Sequence, residues 1–232
     1  LLTWWLGLPS SSSHAMIGGL CGASVGAADN DWSVLIWSQP ADPWFKGSGL
    51  FYKVVVPMIS SPVIGFLLGV FIMGLLFFLI AWLGRRQGWL GRLARPRWVN
   101  AFFGKAQLAS AAYMGFAHGL NDAQKTMGLI ALAIVGAHSV GQLDNLPSYL
   151  DFLRPNDDGI DTWIKVTCAL VMAAGTAAGG WKIIKTLGHK MVKLHPVHGF
   201  AAETASATIL SGAAMLGMPV STTHSISTAI MG

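Results

Sequence analysis

Residues 217–224 read Gly-Met-Pro-Val-Ser-Thr-Thr-His, and residues 7–14 read Gly-Leu-Pro-Ser-Ser-Ser-Ser-His. Gly7, Pro9, Ser11 and His14 thus return as Gly217, Pro219, Ser221 and His224, with Ser12 and Ser13 answered by Thr222 and Thr223. Both copies lie inside apolar segments, where a proline stops one helix and a hydroxyl cluster opens the next. Paired Gly/Pro-interrupted hydrophobic segments in two halves of a chain point to the binding site of a membrane carrier. Four hydroxyl-bearing residues in a row exceed what one helix cap needs. With the helix dipole behind them, they suit an oxyanion. Capping combined with small-residue packing explains one copy alone, but less well two at matched positions.

Composition sets the environment. The chain is 53% apolar and 11% charged, with ten tryptophans and 28 glycines, against about 25% charged residues in an ordinary soluble domain. So few charges cannot clothe a soluble surface, and the sequence reads as an all-α integral membrane protein. The net charge of +5 is not spread over a face. It gathers at Arg85, Arg86, Arg92, Arg95, Arg97 and Lys105, and again at Lys182, Lys185, Lys190 and Lys193. Basic loops between apolar runs follow the positive-inside pattern, which puts both in the cytoplasm. A nucleic-acid-binding loop is the competing reading and is set aside. Cys21 and Cys168 fall in apolar segments as packing residues, and neither a disulfide framework nor metal-ligand spacing is present.

The expected organisation follows from span length, about 20 apolar residues per crossing. It comprises a hairpin bearing the first phrase (1–28), an external loop (29–47) and a membrane helix (48–84). A basic cytoplasmic loop (85–105) leads to a membrane helix broken at its polar centre (106–137) and an acidic external loop (138–161). A further membrane helix (162–181), a second basic loop (182–198) and a helix with the second hairpin (199–232) complete it. The small residues of 199–216 suit close helix packing. The chain begins and ends within apolar runs and carries no basic leader, which suggests a fragment of a longer protein.

Asp122 and Glu203 are the carboxylates set well inside apolar segments. At membrane depth each costs roughly 2.5–3.5 kcal/mol or more and is a functional candidate by default. Asp122 lies in Phe116-Ala117-His118-Gly119-Leu120-Asn121-Asp122-Ala123-Gln124-Lys125-Thr126-Met127-Gly128. Flanking glycines permit a helix break that offers carbonyls and a carboxylate to a cation, and an internal pair of Asp122 with Lys125 is compatible with that. Glu203 reads equally as an acidic residue complementing a helix N-terminus. His118 is a possible titrating or donating neighbour.

These residues together resemble the inorganic phosphate transporter (PiT) family, and the 116–128 string resembles its bacterial low-affinity members. The resemblance runs nearly end to end. It implies an inverted-repeat transporter with broken or re-entrant helices, each repeat having an Asn-Asp helix and a Pro-Ser/Thr hairpin. Ser11, Ser12, Ser13, Ser221, Thr222 and Thr223 would then contact phosphate. Asn121, Asp122 and Glu203 would serve the coupling cation or the substrate site, with His118 and Lys125 as further candidates. The implied partners are inorganic phosphate, a coupling cation (H⁺ or Na⁺, with Gln124-Lys125-Thr126 resembling proton-coupled members) and the lipid bilayer. A homodimer is open, and nucleic acid and any cofactor are not expected. The location implied is the bacterial inner membrane, crossed several times. The family carries the Asn-Asp motif twice and this sequence once. Asn121 precedes Pro219 by 98 residues, which would put its partner about 90 residues before Leu1 if the repeats match. The chain alone is therefore not expected to transport. Rival readings are the same fold carrying sulfate or another oxyanion, a passive anion channel, and an intramembrane serine hydrolase using Ser10–Ser13. The last lacks a Gly-x-Ser-x-Gly elbow.

Overall fold

Proline and hydroxyl punctuation in the sequence reappears as helix starts in the computed structural model, which describes residues 6, 11–43, 47–86, 88–144, 146–155, 159–185 and 195–232. Pro9 and Ser10 of the first phrase, Asp157, Asp158, His189, Lys190 and Lys193 lie outside the described residues. The helices are α1 (Ser12–Ala27), α2 (Val56–Gly84), α3 (Trp89–Leu93), α4 (Pro96–Ser139), α5 (Thr162–Lys185), α6 (Pro196–Met215) and α7 (Thr222–Met231). Among the described residues there is no strand, only an isolated antiparallel bridge between Gln39 and Ser48.

Between α1 and α2 the chain turns through Asp29 and Asn30, both at positive φ, a conformation short polar side chains tolerate. Asp31 then caps the 3-10 turn Trp32–Val34, accepting from Ser33 N and Ser33 Oγ at 2.8 Å each. These bonds favour the ionised form and hold its carboxyl below the usual range. A π turn at Phe51–Val55 runs straight into α2. Together Phe51–Gly84 is the one described helix long and apolar enough to cross a membrane, with a mean hydropathy of 2.9 in its most apolar window. Most of its large side chains are exposed, as suits lipid contact.

α2 buries a stripe of small residues, Pro57, Ser61, Gly65 and Gly69, at four-residue spacing. α7 lies on that stripe. A Cβ at Gly65 would stand 3.2 Å from the Ser225 carbonyl oxygen, and one at Gly69 would stand 2.6 Å from that of Ala229. This is small-xxx-small packing, with backbones in near contact. The stripe is legible in the sequence as Gly65-x-x-x-Gly69. Gly69→Ala is expected to force α2 and α7 apart and lower the thermal midpoint of the complete protein in detergent by several degrees, since overpacking costs about 1–3 kcal/mol. Gly74→Ala, with open space around its Cβ position, should leave the midpoint unchanged. Equal midpoints for both variants would contradict the packing.

α6 is the central helix, packed against α2, α4 and α7. Its Ala202, Ala205, Ser206, Ala207 and Leu210 are nearly or fully buried, in keeping with the small-residue content of 199–216. One apolar cluster joins Ala117 of α4 to Ala207, Leu210 and Ala213 of α6 and to Val220. A second joins Ala202 and Ala205 to Ala229.

Two expectations need correction. The helix expected to break near Asn121 is continuous from Pro96 to Ser139. It contains no proline after its first residue, and none of its glycines takes a positive φ. Its polar residues are met sideways by other elements, so the backbone need not open. Likewise residues 96–105, expected in a basic loop, form the first turns of this helix, with Pro96 at the N1 position that proline favours. Its 44 residues span about 66 Å at 1.5 Å each.

Candidate functional site

The described part of the first phrase, Ser11–His14, adopts the same local structure as Ser221–His224 of the second. Ser11 caps α1 with φ −82° and ψ 108°, and its Oγ accepts from His14 N at 3.3 Å. Ser221 caps α7 with φ −85° and ψ 113°, its Oγ accepting from His224 N at 3.2 Å. Before the second cap, Gly217 takes φ +62°, the left-handed turn that closes α6 and reverses the chain. α6 and α7 therefore form a helical hairpin with the phrase at its turn.

The two caps meet. The rings of His14 and His224 have centroids 5.4 Å apart, and Ser13 Oγ donates to the Val220 carbonyl at 3.2 Å, across 207 residues of sequence. Lys125 of α4 joins them. Its ammonium donates to Ser13 Oγ at 2.5 Å, to the Val220 carbonyl at 3.2 Å and to Asp122 Oδ1 at 3.1 Å. Lysine has three N–H donors, and all three are used. α1 makes no extensive packing with any other helix. Apart from Val25, its buried residue is Ser13, so its attachment to the bundle lies largely at this polar tip.

α4 supplies the opposing wall. His118, Asn121, Asp122 and Lys125 follow at i, i+3, i+4 and i+7, one helical face. His118 Nδ1 lies 3.5 Å from Asp122 Oδ2. That is near enough for charge attraction, but the nitrogen makes no hydrogen bond. The Asp122 and Lys125 side chains are only 13% and 11% exposed, and Asn121 is buried. Three polar atoms here are buried without a hydrogen-bond partner among the described residues, namely His14 Nε2, His118 Nδ1 and Asn121 Nδ2. Buried polar groups are ordinarily satisfied, so such a concentration beside two helix starts leaves room for an acceptor-rich ligand. Ser12 is exposed, and Thr222 and Thr223 are partly so, on the first turns of their helices.

Glu203 does not join this cluster. It sits seven residues past the first residue of α6, beyond the first turn where a carboxylate complements the dipole, so that reading is replaced. Its Oε2 instead lies 2.5 Å from Ser110 Oγ on α4, with Gln107 as a second hydrogen-bonding neighbour. Twelve residues separate Ser110 from Asp122, about 18 Å along the helix. Sequence reading missed Ser110 and Gln107, because both are ordinary polar residues whose meaning comes from a partner 93 residues away. It left Lys125 as a secondary candidate, whereas the fold makes it the common partner of both caps and Asp122.

The phosphate transporter family model matches residues 1–232, the whole chain. Among curated proteins, the chain is similar to the "Probable low-affinity inorganic phosphate transporter" of Bacillus subtilis (strain 168), with 38% identity over 232 residues, all of this chain and 58% of that protein. The like-named protein of Rhizobium meliloti (strain 1021) is 40% identical over the same length, again 58% of its own. That of Mycobacterium bovis is 36% identical, with 47% of its length covered. The chain thus spans about half the length of the curated relatives it matches. No solved structure gives a significant match.

Proposed function

The chain belongs to the phosphate transporter family, and from that premise we propose that the complete protein is a multi-pass inner-membrane carrier that takes up inorganic phosphate together with a cation. In this reading the substrate lies between the starts of α1 and α7, touched by Ser11, Ser12, Ser13, Ser221, Thr222 and Thr223 and held beside Lys125. The single observation that carries the reading is the convergence of both phrases on Lys125, among buried polar atoms that lack partners among the described residues.

Charge bookkeeping supports a coupled cation. Lys125 and Asp122 cancel, and two helix N-termini contribute roughly +0.5 each. That matches a monoanion and leaves about one negative charge of a phosphate dianion uncompensated. A proton or Na⁺ entering with the substrate offsets the remainder. Asp122 and Asn121 are proposed for that ion or for shaping the substrate site. Glu203 of α6, set against Ser110 of α4, is proposed as a second coupling carboxylate. Alternating access then comes from rocking one inverted repeat against the other, each repeat holding one of the hairpins. No cofactor is needed beyond the coupling ion.

Asp122 also bears on the choice of oxyanion. A carboxylate only accepts hydrogen bonds, so among donors it favours an anion that still carries a proton. Phosphate does at neutral pH and sulfate does not. The hydrolase reading requires a base for Ser13. The base that reading names is a membrane histidine, whereas the side-chain and backbone partners of Ser13 Oγ are Lys125 Nζ and the Val220 carbonyl.

The test is labelled-phosphate uptake by the complete gene product in cells stripped of their own phosphate carriers, with excess sulfate present and the ion gradient then collapsed. Concentrative uptake that sulfate leaves untouched and that falls with the gradient is expected. Suppression by sulfate would move the assignment to another oxyanion, and uptake indifferent to the gradient would make the protein a passive channel.

A further inference from the structure

A second polar feature stands apart from this site. From residue 85 to residue 105 the chain carries Arg85, Arg86, Arg92, Arg95 and Arg97 without a single Asp or Glu. All five arginines are exposed, and none pairs with a carboxylate among the described residues.

The fold gathers them. Arg85 is the C-cap of α2, Arg92 lies on α3, and Arg95 caps the start of α4 with Arg97 just inside it. Gly91 is pressed so close to the Arg86 carbonyl that a Cβ there would collide with it. Arg95 N donates to the Arg92 carbonyl at 3.2 Å. The connection is therefore a tight knuckle, and its arginines share one small region.

Aromatic residues ring the same knuckle. Trp82, Trp89 and Trp98 are 46%, 71% and 58% exposed, and the Arg86 guanidinium stands 4.9 Å over the Trp82 ring. All of this sits at the end of Phe51–Gly84, the helix able to cross a membrane. Indole rings prefer the level of lipid headgroups, and guanidinium forks bind phosphate oxygens in pairs. A dense positive cluster without a carboxylate partner among the described residues is open to an outside anion. Three exposed indoles beside it, which prefer the level of lipid headgroups, favour a lipid as that anion.

We propose that the Arg85–Arg97 knuckle is a docking surface for anionic phospholipid headgroups at the membrane face where α2 ends. Its occupant is a phosphodiester lipid with net negative charge, held by paired guanidinium contacts and flanked by indoles. This does not rest on phosphate being the transported substrate.

The complete protein in mild detergent is incubated with equimolar phosphatidylglycerol and phosphatidylcholine, and the retained lipid is measured by mass spectrometry. Retention of phosphatidylglycerol over phosphatidylcholine by about tenfold or more is expected, as juxtamembrane basic clusters attract anionic lipid. The preference should vanish in Arg85→Gln/Arg86→Gln/Arg92→Gln/Arg95→Gln/Arg97→Gln and persist in Lys165→Gln. If the fivefold variant does not fold, Arg92→Gln/Arg95→Gln should still lower the preference about threefold. Equal retention of the two lipids by the unaltered protein, or an unchanged preference in these variants, would overturn the proposal. So would wild-type protein that takes up labelled RNA in place of phosphatidylglycerol.

Discussion

Replacing Lys125 by methionine is expected to reduce phosphate uptake by the complete protein by a factor on the order of 10 to 10². Lys125 and Asp122 form an ion pair whose side chains are both nearly buried. Removing one member of such a pair leaves the other charge desolvated and alone, at a stability cost of about 3–5 kcal/mol, and the anion separately loses a charged hydrogen-bond donor worth about 1.5–3 kcal/mol, where each 1.4 kcal/mol is tenfold. The same change removes the lysine's bonds to Ser13 and Val220, leaving the direct Ser13–Val220 bond and the His14–His224 contact to hold α1 to the second hairpin. Uptake rates corrected for the amount of protein in the membrane would measure it. A double-variant cycle separates the two losses. Lys125→Met/Asp122→Asn should recover thermal stability, since no lone charge remains, without recovering uptake. Near-normal uptake by Lys125→Met would remove the lysine from the site.

Asp122→Asn is expected to abolish gradient-driven uptake. The amide keeps the shape of the carboxylate but loses its charge, so the cation has less to bind and Lys125 becomes the unpaired partner. The substitution also turns one acceptor into a donor. Whatever anion binding survives in the purified protein should show a phosphate-over-sulfate preference lower by about 10–100-fold, the worth of a hydrogen bond to a charged group. Normal coupled uptake by this variant would sink the role given to Asp122. An unchanged preference against sulfate would place the discriminating acceptor elsewhere.

The repeated phrase was legible because it is local. Proline, serine and a backbone N–H three residues on define a helix cap wherever they stand, and Ser11 and Ser221 adopt nearly the same backbone angles. The small-residue content of α6 was legible for the same reason, since composition alone limits how closely helices pack. The course of α4 was not. Polar residues inside an apolar run fit either a broken backbone or one polar face on an intact helix, and the choice depends on what lies opposite. The i, i+3, i+4, i+7 spacing of His118, Asn121, Asp122 and Lys125 favoured the face. Its partners Ser13 and Val220 stand 112 and 95 residues away, where no periodicity reaches. Glu203 failed to join Asp122 for a related reason. Both lie inside apolar segments, but that placement in sequence does not fix position along a neighbouring helix, and α4 carries their contacts three turns apart.

The most direct test of the central claim is the position of the anion itself. Crystals of the complete protein soaked with arsenate, whose arsenic scatters anomalously, would mark it. The account predicts a single strong peak between the first turns of α1 and α7, within hydrogen-bonding reach of Ser13 and Lys125 and facing Asp122. A peak remote from both phrases, or one bound to a single hairpin with Lys125 uninvolved, would contradict it.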